Sequence, residues 1–329
     1  MKSKQQNKPN GELTAKLDKY VKDCVFYYDL PGIVIGAGIC ECDYKYEGAG
    51  GFGNAATKEP LQTDSVFHMT SITKLFTSTA ILMLLESKKL SLDDKMVDIL
   101  PDAPIVDKRY SEVTIKHILT HTSGIFKSKF LYPPSDKHFV YEDLEYDTLG
   151  TVIEIFSGMR YDEYVKEKIL VPLCMHDTEI SVGRESKSVF GHSKNEEKQF
   201  AVLPRFQYER TRMPSSSLTS TVHDMGKWAA EVLSGRTLLK PETYEFALQE
   251  YAKTPEKNQH ICMSWFKRKQ AGYALYGHIG ADIGYKSGFW ICPELNLHFT
   301  VLTNITTSPI NKICDEVFDI LLHYLRPTL

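Results

Sequence analysis

Ser71 and Lys74 stand three residues apart in the stretch Val66-Phe67-His68-Met69-Thr70-Ser71-Ile72-Thr73-Lys74. Apolar residues then recur at helical spacing (Leu75, Ala80, Ile81, Leu84, Leu85) with no Gly or Pro among them, which predicts a helix from Ser71 to about Leu85. Three residues make about one helical turn, so the Lys74 ammonium and the Ser71 hydroxyl share a face and lie within reach of each other. A base would stand beside a nucleophile. The positive end of the helix favours an alkoxide on Ser71 and disfavours the charged lysine. The same spacing recurs at Ser264 and Lys267, but in a strand-like run, where residues three apart point to opposite faces and cannot cooperate.

Other chemistry-bearing patterns are weaker. Gly48 to Gly53 matches the G-x-G-x-x-G spacing of a dinucleotide site, but the following Asn54 to Asp64 is polar and contains Pro60, so no helix opens there to receive a pyrophosphate. A glycine-rich hairpin between two strands is the expectation. His117 and His121 are spaced i, i+4, but no third ligand accompanies them and His121 falls in a helix-end turn, so hydrogen-bonding roles are expected and no metal site. The seven cysteines form no C-x-x-C pair and read as reduced, mostly buried thiols.

The elements that must position Ser71 and Lys74 follow from the hydrophobic pattern. Leu13, Leu17, Tyr20, Val21 and Cys24 line a helix that ends before Pro31, and Ile33 to Cys42 is a strand. From Ser71 to about Gly235 the chain is mainly helical, with helices at Met96 to Leu100, Thr114 to Leu119, Tyr146 to Ser157, Asp162 to Leu170 and Asp224 to Leu233, the last preceded by a serine-rich turn at Ser215 to Ser217. Strand-like runs return at Met263 to Lys267, Ala274 to Gly277, Ser287 to Ile291 and Leu297 to Leu302. The turns between them are expected at 267–270 and 293–296, and a terminal helix at Ile310 to Tyr324. The expected class is α+β. A flexible N-terminus (1–12) precedes one domain (13–329), whose α/β lobe (13–70 and 260–329) is an antiparallel sheet flanked by terminal helices, with a mainly helical lobe (71–259) inserted. Ser71 would stand at the mouth of the cleft between the lobes.

Bulk composition narrows the partners. Hydrophobic residues make up 42% and charged residues 25%, as in an ordinary globular protein. With 39 basic and 42 acidic residues the net charge is -3, which leaves no electrostatic footprint for nucleic acid or an anionic membrane. Met1 to Glu12 is polar, without the apolar segment of a secretory signal, and no later run reaches membrane-spanning length, so a cytoplasmic location is the expectation.

Several blocks in order carry a family resemblance. Ser71-Ile72-Thr73-Lys74 is followed by Lys89-Leu90-Ser91-Leu92-Asp93-Asp94 and by Ile118-Leu119-Thr120-His121-Thr122-Ser123-Gly124-Ile125. Then come Tyr141-Glu142-Asp143, with Tyr146, Leu149 and Gly150 behind it, Ser216 to Thr221 with Asp224-Met225, and His278-Ile279-Gly280. Together, from about Ile33 to Asn304, they resemble the serine β-lactamase and penicillin-binding-protein superfamily, in particular its class C β-lactamase, D-alanyl-D-alanine carboxypeptidase and family VIII esterase branch.

The resemblance implies a β-lactamase/transpeptidase-like fold and a catalytic set of Ser71, Lys74 and Tyr141, in which Ser71 attacks an acyl carbonyl. Lys74 takes or relays its proton, and Tyr141, its pKa lowered by nearby cations, protonates the leaving group and then activates water. Asp143, His278, Gly280 and Ala281 would meet the substrate: His278 lines the opposite wall as a weak, pH-dependent charge, and the amides of Ser71 and Ala281 form an oxyanion hole. No metal or organic cofactor is implied. Asp143 replaces the family's asparagine, and an acid there pairs with Lys74 and holds it charged. The expected activity is that of a serine hydrolase working through an acyl-enzyme on a small amide or ester, including a short peptide, whether peptidase-like, esterase-like or weakly β-lactamase-like. The alternative is a catalytically weakened homologue that binds a ligand or serves as a scaffold.

Overall fold

The computed structural model describes residues 11–40, 44–102, 107–135, 137–180, 189–204, 212–235 and 237–325. The apolar stripe Leu13, Leu17, Val21 and Cys24 is buried on helix α1 (Gly11–Tyr27), which ends four residues before Pro31. Residues 1–10 of the segment expected to be flexible lie outside the described residues; Gly11 and Glu12 open α1.

Three strands follow from the first end of the chain, β1 (Gly32–Ile39), β2 (Tyr44–Asn54) and β3 (Glu59–Pro60). Six come from the second, β4 (Ala252–Lys253), β5 (Gln259–Ile261), β6 (Phe266–Gln270), β7 (Tyr273–Asp282), β8 (Tyr285–Cys292) and β9 (Leu297–Thr303). They form one nine-stranded antiparallel sheet in the order β4-β5-β6-β7-β8-β9-β1-β2-β3. The seam between the two chain ends is the β1/β9 pair, in register from Ile33 opposite Thr303 to Ile39 opposite Leu297. Every residue of β1 is buried because both faces of the sheet are covered. Helix α1 and the terminal helix α5 (Ile310–Leu325) pack on one face over Ile33, Ile35, Phe299 and Val301. Against the other face lie α4 (Val222–Ser234) and the helical middle of the chain, which contains α2 (Thr73–Glu86) and α3 (Asp143–Ser157). The architecture is therefore α+β, an antiparallel sheet with flanking terminal helices and a mainly helical insertion. The chain returns to the sheet at Ala252, before the Met263 start expected from the sequence.

Trp228 of α4 joins these layers. Its ring stacks on Phe76 of α2 at 4.1 Å and lies 5.1 Å from Phe289 of β8 and 5.5 Å from Trp265. Aromatic surfaces from helix and sheet are thus buried against one another.

Three local expectations change. Gly48 to Gly53 is not a hairpin turn but the interior of β2, with Gly50 opposite Ile33. A Cβ on Gly50 would come within 2.8 Å of Val21, so the missing side chain lets α1 approach the sheet. The charged run Lys267 to Gln270 is strand β6, and the chain reverses one step later at Ala271 and Gly272, both at positive φ. Ser264 lies outside the strand, at φ +68 before β6. The described cysteines are all free thiols, four of them buried; Cys42 lies outside the described residues.

Candidate active site

Ser71 sits in a single 3-10 turn, Thr70–Ile72, that leads directly into α2. The expected helix start is thus a tighter turn, with the α-helix proper beginning at Thr73. Thr70 takes φ +51, an uncommon conformation for a residue with a branched side chain. The surroundings hold it there: Thr70 Oγ1 is 3.2 Å from Ser287 Oγ of β8, and Ser287 Oγ donates to Met69 O at 2.8 Å. Gly280 of β7 completes the fit, since a Cβ there would lie 1.7 Å from Thr70 Oγ1. Only a glycine lets β7 lie against this turn, which sets Gly280 and its neighbour Ala281 beside the Ser71 segment.

Lys74 is 0% exposed, and its Nζ reaches three acceptors: Ser71 Oγ at 3.4 Å, Asp143 Oδ1 at 2.5 Å and Ser215 O at 3.0 Å. Three acceptors match the three N–H donors of an ammonium. Burial pulls the Lys74 pKa down, but the opposing effects of Tyr141 and Asp143 win and hold it above the usual lysine value. This reverses the expectation from the helix dipole alone: an ion pair at contact distance outweighs the fractional charge of a helix end. The paired Asp143 opens α3, behind Glu142, whose side chain accepts from Leu144 N as the helix cap.

Tyr141 lies beside Lys74, whose Nζ is 4.9 Å from its ring centre. Its pKa is raised, not lowered as expected, because burial disfavours the phenolate by more than the lysine charge favours it. His121 stacks on the Tyr141 ring at 4.4 Å and on Tyr146 at 5.4 Å, while its Nδ1 accepts from Glu142 N at 3.4 Å. Burial keeps His121 neutral. Its i, i+4 neighbour His117 caps its own helix through Thr114, so the two histidines have separate structural tasks. Among the described residues no cluster is suited to a metal ion.

His278 of β7 is 1% exposed, within ring contact of Phe266 (4.8 Å) and Tyr141 (6.1 Å). Its Nδ1 donates to Ile279 O at 2.7 Å, and burial followed by the Lys74 charge pushes its pKa down to about 3. It is a neutral wall residue, not the pH-dependent charge expected from sequence.

Ser71, Lys74, Tyr141 and Asp143 are thus joined by direct contacts, with His278 in ring contact with Tyr141 and the Gly280–Ala281 segment packed beside Ser71. Three contributors stand outside that set. Tyr146 donates to Lys74 O at 2.7 Å, fixing the backbone of α2. Ser215 supplies the carbonyl on Lys74, and its own N–H is held by Asp147 Oδ1 at 2.9 Å. The sequence signal for Asp147 is its i+4 spacing from Asp143, which sets both carboxylates on one side of α3. The second Ser-x-x-K pair is split: Ser264 Oγ contacts Tyr146 and Leu119 O, whereas Lys267 pairs with Glu250 at 2.9 Å.

The chain is 29% identical over 177 residues to penicillin-binding protein 4* of Bacillus subtilis (strain 168), an alignment taking 46% of this chain and only 38% of that protein's length. A penicillin-binding protein homologue from Pyrococcus abyssi, described as octameric, superposes with a TM-score of 0.85 at 24% identity over 94% of this chain and 77% of its own. D-amino acid amidase from Ochrobactrum anthropi SV3, in complex with D-phenylalanine, gives 0.82 at 18% identity over 95% of this chain and 99% of its own. At these identities the two structures share the fold, the β-lactamase/transpeptidase fold. The Beta-lactamase family model matches residues 17–316, nearly the whole chain, and the protein belongs to that family.

Proposed function

We propose that the protein is a serine hydrolase that acts through an acyl-enzyme at Ser71 on a small amide or ester. The observation that carries this reading is the buried Lys74 ammonium, 3.4 Å from Ser71 Oγ and shared with Tyr141 and Asp143. Membership of a family whose relatives include penicillin-binding proteins and an amidase supports it. The cleft between an α/β lobe (13–70 and 260–329) and a helical lobe (71–259) of one domain is the proposed substrate entry.

Because Lys74 rests charged, it must release a proton before it can accept one from Ser71, and Asp143 Oδ1 is the acceptor at contact distance. In this scheme Ser71 Oγ forms a bond to the acyl carbon while its proton passes to Lys74, which has given one to Asp143. Tyr141 donates its phenolic proton to the leaving group as the scissile bond breaks, and the proton held by Asp143 returns through Lys74 to the phenolate. In deacylation water attacks the acyl carbon and gives its proton to Tyr141 while the phenolic proton passes by way of Lys74 to the departing Ser71 Oγ. The amides of Ser71 and Ala281 would stabilise the oxyanion, each worth ~3 kcal/mol in comparable sites. His278 acts as a neutral wall.

Fluorophosphonate or fluorescent-penicillin labelling, with turnover of p-nitrophenyl esters, tests this directly. Label and turnover should both disappear in Ser71→Ala. The tight Lys74–Asp143 pair favours a second reading, a weakened homologue that binds a ligand or acts as a scaffold. Absence of Ser71-dependent label and of turnover in the native chain would establish that reading instead.

A further inference from the structure

Resting on the acyl-enzyme reading above, we infer that Asp143 selects the substrate class: amides or esters that carry an ammonium group beside the scissile carbonyl. The carboxylate has two oxygens and the site uses one. Oδ1 is committed to Lys74 at 2.5 Å, whereas Oδ2 has no hydrogen-bond partner among the described residues, and the side chain is 39% exposed. The positive partner lies behind it, with Lys74 0% exposed. A molecule approaching Ser71 therefore meets the negative end of the ion pair and not its positive end.

The other groups of the site add no exposed cation to offset this. Tyr141 is a neutral phenol beside Lys74, and His278 is 1% exposed with its Nδ1 proton given to Ile279 O. A carboxylate next to the reacting bond would be placed against Asp143 without a counter-charge, while an ammonium would complete a carboxylate bridged between two cations. The walls next to this charge are aromatic and half-buried: Phe139 and Phe266 each lie within 6.5 Å of the Tyr141 ring. They suit an apolar side chain on the same substrate, so phenylalanine derivatives are fitting probes.

The test compares p-nitroanilides of D- and L-phenylalanine with the amine free, N-acetylated or N-succinylated, using the full chain. The free-amine form of the better enantiomer should exceed its N-acetyl counterpart by about tenfold or more in kcat/KM, with the N-succinyl form slowest. Asp143→Asn should reduce that preference to within about threefold, while Asp143→Glu, which keeps the charge, should retain part of it. Equal or faster turnover of the N-acetyl form overturns the inference, as does an unchanged preference in Asp143→Asn. So does a protein that labels with fluorophosphonate at Ser71 yet leaves the free-amine substrates untouched. Failure of labelling and of all turnover overturns the acyl-enzyme reading itself, and this inference with it.

Discussion

At the residue scale the site is governed by the competition between burial and pairing at Lys74. An isolated buried lysine would lose its proton, but Asp143 and Tyr141 hold its pKa above the ordinary lysine value. If a neutral Lys74 limits acylation, the labelling rate should climb with pH and still be rising near pH ~10, the ordinary lysine range. Asp143→Asn removes both the pairing charge and the acceptor of the Lys74 proton, so its alkaline limb should move to lower pH while its acylation by a neutral ester such as p-nitrophenyl acetate falls at neutral pH. A faster rate at neutral pH would show instead that the carboxylate only suppresses Lys74 and that solvent takes its proton. Two further carboxyls on α3 make a separate prediction. Burial raises Glu145 and Asp147 to about 7, from 4.5 and 3.8. Below about pH 4 both are protonated, folded or unfolded, and between about 4 and 7 the folded state keeps protons that the unfolded state releases. Their contribution to stability therefore falls as pH rises through that window and levels off above it. Relative to a Glu145→Gln/Asp147→Asn variant, the native chain should lose a few degrees of melting temperature between about pH 5 and 8.

At the element scale, short segments do the positioning. The 213–216 turn delivers the Ser215 carbonyl to Lys74 only because Asp147 anchors the Ser215 amide. Asp147→Ala should lower kcat/KM about tenfold and shift the alkaline limb of the pH profile downward, since a loosened carbonyl stabilises the ammonium less. Asp147→Asn keeps an acceptor oxygen and should retain most activity. The contact of β7 with the Thr70 turn is equally specific. Gly280→Ala drives a methyl into Thr70 Oγ1 and should cost ~1–3 kcal/mol in denaturant unfolding, together with loss of Ser71 labelling.

At the scale of the whole molecule, the Ser71 turn is clamped between parts of the chain remote in sequence. Met69 O and Thr70 Oγ1 are bonded by Ser287, more than 200 residues later, and α2 is tied through Phe76 and Trp228 to the sheet at Phe289. Trp228 is fully buried, so Trp228→Ala should cost ~3–5 kcal/mol. Because its contacts span helix and sheet, that loss should appear as one cooperative transition at a lower midpoint and not as the melting of one part. Single-wavelength unfolding followed separately by fluorescence and by far-UV dichroism would reveal any divergence.

The sequence by itself determined the elements whose patterns are local. The stripes of α1, α3 and α5, the return to strands from about Met263, and the Ser-x-x-K pair on a helical turn all follow from spacing that neighbouring residues enforce. The ordered blocks of motifs also carried the family resemblance. What only the tertiary structure decided were quantities set by groups distant in sequence. The glycines of β2 read as a turn because α1, which needs their missing side chains, is known only in space; Ser264 read as strand because its bend answers to Tyr146 and Leu119. Above all, the charge state at the centre could not be read from Ser71 and Lys74 alone. A helix end pushes a lysine toward neutrality; the family resemblance already pointed to Asp143 as an acid that pairs with Lys74 and keeps it charged, and the structure closes that pair to 2.5 Å and adds Tyr141, so that together they outweigh burial. A close ion pair with little water between its partners outweighs a half-charge at the end of a helix.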